Sequence, residues 1–148
     1  MPADPPQAIS GDDRFLRRVL HRADYFEWHD DLDRWVPSLA GVRFDPDGLS
    51  AFVPRLLRQR GHGPADVCTL GRTSEKPAVA YEFDGQAVAH VGFSAEHSPN
   101  EDTPIGYAHA SILKPSLTRV DDRQARTALA SRMVLVHGTV ELPKPAGA

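Results

Sequence analysis

Apolar positions in the segment RFLRRVLH, residues 14–21, fall at Phe15, Leu16, Val19 and Leu20. This spacing lines one face of a helix, and Asp12 or Asp13 stands where an N-cap belongs. Eight residues also suit an opening strand, so both readings stay open. Residues 22–33 mix acids with aromatics and read as a connection. The block at 34–52, RWVPSLAGVRFDPDGLSAF, cannot be a continuous helix, because Pro37, Gly41, Pro46 and Gly48 interrupt it. It reads as short extended pieces joined by turns. A strand over 49–53 then feeds a short helix, with Pro54 in its first turn and Gly61 beyond its end. Leu56 and Leu57 face the core there, while Arg55, Arg58 and Arg60 mostly do not.

Further on, AVAYEF and QAVAHVGF flank Asp84-Gly85. That dipeptide suits a two-residue type I′ turn and predicts a β-hairpin. SAEHSPNEDTP is a polar, acidic loop, and IGYAHASIL a further strand. A helix starts at Asp121 or Asp122 and runs to about Ser131, burying Ala125, Ala128 and Leu129. MVLV is a closing strand, broken from TVEL by Gly138. The expected fold is α+β: a single small domain over 13–142, a mixed or antiparallel sheet, the hairpin at Asp84-Gly85 and two or three short helices. Residues 1–12, MPADPPQAISGD, and 143–148, PKPAGA, have the composition of disordered tails.

Composition narrows the class more than the chemistry. The chain has 148 residues, 41% hydrophobic and 25% charged, with a formal net charge of -3. That length can bury a core, and that charge gives no field to draw in nucleic acid or an anionic membrane. Cys68 is the only cysteine, which excludes an internal disulfide and suits a reducing, cytoplasmic compartment. Residues 1–12 lack the charged and apolar regions of a signal peptide. No apolar run approaches the roughly 20 residues of a membrane span.

Four segments carry a resemblance: LRRVLH at 16–21, RWVPS at 34–38, FDPDGLS at 44–50 and YAHASIL at 107–113. Followed by an Ala/Arg-rich closing helix, they resemble an uncharacterised family of small bacterial proteins across residues 15–137. The resemblance implies a single-domain bacterial protein. It implies no activity and supplies no catalytic residue.

Several polar groups have the right chemistry for a site. His90, His97 and His109, with Glu96, Glu101 and Asp102, are weak candidates for a divalent metal. Their spacing matches no tight metal signature, so strand histidines beside a solvated acidic loop are the plainer reading, and neither metal nor cofactor is expected. A second set is His21, Arg34, Ser38, Ser50 and His109. A serine with an oriented histidine acts as nucleophile and base, but there is no GxSxG elbow. His21, Ser50 and Glu141 follow the order of an ADP-ribosyltransferase-like arrangement without its Ser-Thr-Ser triplet. The plainer reading has Ser38 and Ser50 bonding turn backbones. Arg34 is expected to meet a carboxylate, Asp45 or Asp47, and Trp35 to be buried. Trp28 and Trp35 either anchor a protein partner or cover a core edge. Arg123, Arg126 and Arg132 form a phosphate-binding or merely solvated helix face. Cys68, with no basic residue close by in sequence, reads as an inert thiol.

Two functions follow. The first is a non-catalytic accessory or partner-binding domain, its protein partner unidentified. The alternative is a small enzyme acting on a nucleotide-like ligand, ADP-ribosyltransferase-like or a hydrolase, through His21, Arg34, Ser50 and His109. Convergence of those four side chains in one cleft would favour the enzyme.

Overall fold

The opening segment is a strand, because it gains pairing on both sides. In the computed structural model, which describes residues 5–70 and 77–147, β1 (Arg14–Leu20) lies inside an antiparallel sheet. It registers Leu16 opposite Phe52 of β4 (Leu49–Phe52) and, over its whole length, pairs with β5 (Ala78–Asp84). Phe15, Leu16 and Val19 are buried. A pattern compatible with a helical stripe is thus satisfied by a strand covered on both faces.

The connection at 22–33 holds structure of its own: a 3-10 turn (Ala23–Tyr25) and β2 (Phe26–His29). β2 forms a hairpin with β3 (Arg34–Pro37). Asp33, at φ 52, takes the left-handed position of its turn. The expected strand and helix after residue 48 are present as β4 and α1 (Pro54–Gln59), with Pro54 opening the helix and Gly61 at φ +76 past its end. α2 (Pro64–Leu70) follows.

The hairpin at Asp84-Gly85 is replaced by a strand-to-helix junction. β5 ends at Asp84, and α3 (Gly85–His90) begins at once. The Asp84 carboxylate accepts the Ala87 N–H at 2.8 Å, a helix N-cap. Gly85 is needed for close approach: a Cβ there would stand 2.8 Å from the Ser10 carbonyl oxygen. Both sides of β5 are occupied by β1 and by β8 (Val134–His137), so residues 86–93 have no strand to join.

β6 (Ser94–His97) and β7 (His109–Leu113) follow, with a 3-10 turn (Gly106–Ala108) between them. α4 (Arg119–Ser131) starts two residues before the expected aspartates, because the Thr118 hydroxyl caps it by accepting the Asp121 N–H. The main sheet runs β6-β7-β4-β1-β5-β8, every pair antiparallel, beside the β2–β3 hairpin. The α+β class and antiparallel sheet agree with expectation; the described residues hold four α-helices rather than two or three. None of these helices is long and apolar enough to cross a membrane.

The core packs Phe15 against Phe83, ring centroids 5.4 Å apart, and encloses Tyr81 completely. The Tyr81 hydroxyl donates to the Trp35 carbonyl at 3.0 Å. Trp35 itself is half-buried against the core rather than enclosed. Arg34 does not meet Asp45 or Asp47. Its Nη2 donates to the carbonyls of Ser131 at 3.0 Å and Met133 at 3.4 Å. The Ser131 carbonyl is the last of α4, where helix geometry leaves acceptors unused and favours a cation, and Met133 lies two residues beyond it. Positions 1–4 and 148 of the two expected tails lie outside the described residues. Of the rest, Gln7 donates its N–H to His97 Nδ1 at 2.8 Å and Ile9 packs against the core.

Candidate functional site

Strand register brings Ser50 and His109 together from positions 59 apart. β4 and β7 pair with Ser50 opposite Ser111 and Phe52 opposite His109. Residues two apart on a strand share a face, so Ser50, Phe52, His109 and Ser111 crowd one side. Ser50 reaches His109 on the diagonal, with Oγ 3.0 Å from Nε2. The backbone ladder continues past β6, where the Ser98 N–H donates to the His109 carbonyl at 2.9 Å. This sets the Ser98 carbonyl oxygen 3.1 Å from His109 Nδ1.

That contact assigns the imidazole tautomer. A carbonyl only accepts, so Nδ1 carries the proton and Nε2 presents its lone pair to the Ser50 hydroxyl. Ser98 Oγ also stands 2.9 Å from Nδ1 and 2.8 Å from Ser111 Oγ. The Phe52 ring meets the imidazole edge-on, centroids 5.7 Å apart. Burial pushes the His109 pKa below its usual 6.5, against the opposing pull of the Ser98 hydrogen bond and the Asp102 carboxylate. The neutral, proton-accepting form is therefore favoured.

Ser50 and His109 line a cleft of about 630 Å³. Arg17 crosses one wall, its guanidinium donating to the Ser50 carbonyl at 3.1 Å and the Gly41 carbonyl at 3.3 Å. Gly41 is packed so closely on the Tyr25 carbonyl that any Cβ would collide with it. Ser38 holds this loop, donating to the Asp24 carbonyl at 2.6 Å and accepting the Gly41 N–H. It is a turn-bonding serine, as its plainer reading has it. Arg43, Asp45, Asn100 and Asp102 complete a polar lining.

The other sequence-predicted residues lie elsewhere. The His21 ring accepts the Glu141 N–H at 2.8 Å, and neither residue lines the cleft. Arg34 is spent on the end of α4. Of the four expected to converge, only Ser50 and His109 do, and the His21, Ser50, Glu141 set is not assembled. His90 is exposed at the end of α3. His97 is buried, with Nδ1 accepting from Gln7 and Nε2 2.7 Å from the Tyr107 carbonyl, so both ring nitrogens are engaged. Among the described residues, no group of three or more His, Cys, Asp or Glu could hold a metal ion.

Trp28 and Trp35 face each other across the hairpin, edge to face at 5.5 Å, and Lys144 sits over the Trp28 ring at 5.0 Å. Arg126 pairs with Asp122 at 3.0 Å and donates to the Leu39 carbonyl, tying α4 to the central block. Arg123 and Arg132 are exposed. Cys68 is half-buried, and burial pushes its thiol pKa up.

Sequence reasoning missed Ser98 and Arg17. Ser98 sits in a stretch that reads as solvated loop, and Arg17 is one of three arginines on β1. Only the register singles them out. No protein-family model, no curated protein and no solved structure matches the chain.

Proposed function

We propose that this chain binds a small, polar, nucleotide-like ligand in the cleft beneath Ser50 and His109. The observation that carries the reading is the cleft's volume of about 630 Å³ combined with its lining. Pockets of this size take small-molecule ligands. Arg43, exposed, suits a phosphate; Asp45, Asp102 and Asn100 suit sugar hydroxyls; Tyr25 adds an aromatic residue to the lining. The single cysteine supports a cytoplasmic setting for this activity. The test is calorimetric titration with adenosine 5′-monophosphate. Binding that weakens at least about 10-fold in Arg43→Ala is expected, and absence of heat at millimolar nucleotide would reject the nucleotide class.

A second reading, as an accessory or partner-binding domain, is favoured by β8. This strand ends the sheet and exposes Val134 and Val136 by 47% and 42%. An uncharged apolar edge is a template for strand pairing. Concentration-dependent association that Val134→Lys abolishes would support it. Trp28, capped by Lys144, supports it less.

A further inference from the structure

We propose that Ser50 is a nucleophile acylated by small carboxylic esters, with His109 as its general base. The inference rests on the reading of the cleft as the ligand site.

Three observations carry it. The Ser50 hydroxyl is 3.0 Å from His109 Nε2, inside the range for proton transfer. The acceptor-only Ser98 carbonyl fixes the proton on Nδ1 and so frees Nε2 to take another. The ring is held from its own backbone as well, through the Ser98 N–H on the His109 carbonyl. A nucleophile, a base and a group orienting the base are thus in sequence, the relationship that activated serines require. Ser98 supplies through its carbonyl what a carboxylate often supplies, which makes His109 a weaker base and favours good leaving groups. Arg17, bonded to the carbonyl of the residue that carries the nucleophile, brings a positive charge to the same cleft.

The step balances without a co-reactant other than water. Ser50 Oγ attacks the ester carbonyl carbon, and its proton passes to His109 Nε2. The carbon–oxygen bond to the leaving alcohol breaks, and that alcohol takes the proton from Nε2. Water then attacks the acyl–Ser50 ester, giving one proton to Nε2. The carboxylic acid leaves as Ser50 Oγ recovers that proton.

The experiment treats the full chain with p-nitrophenyl acetate, following nitrophenolate release, intact mass and the acetylated peptide. One acetyl per chain, mapped to Ser50, is expected. Ser50→Ala should abolish that adduct, and His109→Gln should slow its formation at least about 100-fold. The wild-type rate should rise with pH on a midpoint below that of an ordinary histidine and then level off. Acetyl groups found only on other side chains, or a Ser50 rate indifferent to His109→Gln, would overturn the proposal. Mapping in the wild-type chain decides the matter even if His109→Gln does not fold. Adenosine monophosphate binding without acetylation of Ser50 overturns this inference alone. Acetylation without nucleotide binding overturns the nucleotide reading and leaves Ser50 as the nucleophile.

Discussion

Replacing Arg34 by alanine separates two accounts of what that residue does. As an exposed ion pair it would contribute less than about 1 kcal/mol. The structure instead gives its Nη2 two backbone acceptors, the Ser131 and Met133 carbonyls, on a half-buried side chain. Hydrogen bonds from a charged donor contribute about 1.5–3 kcal/mol, and the abandoned carbonyls at the end of α4 add a desolvation penalty where water cannot reach them. Against this, Nε of Arg34 is buried without a partner, so removing the side chain also relieves a cost. The net expectation for Arg34→Ala is a loss of about 2 kcal/mol, a melting point lower by about 6 °C for a domain of this size. Urea unfolding measures it, with the midpoint falling and the slope unchanged. Because the acceptors are carbonyls, the loss should persist in 0.5 M salt, on the order of a 4 Å screening length, where an exposed ion pair would fade. A loss below about 0.5 kcal/mol, or one that salt abolishes, would refute the assignment of Arg34 to the helix end.

Four further outcomes follow from the packing. Asp84→Ala should cost about 1 kcal/mol as a lost N-cap, and Gly85→Ala should cost more, because the new Cβ would stand 2.8 Å from the Ser10 carbonyl oxygen; thermal melts rank the two, and a Gly85→Ala loss no larger than that of Asp84→Ala would contradict the close approach. Trp35→Ala should cost about 2 kcal/mol, below the range for a fully enclosed tryptophan, since the indole is only half-buried; a neutral result by urea unfolding would make Trp35 a surface anchor. An NMR titration of the His109 ring should give a midpoint below 6.5. Since that pKa is lowered on folding, the unfolded chain binds the extra proton first, and His109 should erode stability as pH falls from about 6.5 toward its folded value; urea midpoints rising on acidification over that window would contradict it. Asp122, held below the usual carboxylate range first by Lys114 and then by Arg126, should contribute stability above about pH 4 that is lost as pH falls through its folded value; a melt of Asp122→Asn that is no weaker at pH 6 would contradict this.

Where local rules decide, the fold is legible. Pro54 in the first turn of α1 and Gly61 past its end mark a helix by their own backbone limits, and that helix is present. Asp84-Gly85 shows the limit of such rules. The same dipeptide serves a tight turn or a helix cap, and the choice falls to β1 and β8, which occupy both sides of β5. The partner of Arg34 was illegible for a like reason, since Ser131 lies 97 positions away and offers a backbone carbonyl that no composition marks. At the site, the types of Ser50 and His109 were informative, but their meeting depends on the β4–β7 register. Ser98 could be found only through the ladder that carries on beyond β6.

The most direct test of the cleft as the working surface is a titration with adenosine 5′-monophosphate followed by amide and imidazole NMR. Saturable shifts concentrated at Gly41, Arg43, Ser50, Asp102 and His109 are expected, with Trp28 and Trp35 unmoved. Shifts gathered on the β2–β3 hairpin instead, or none at millimolar nucleotide, would contradict it.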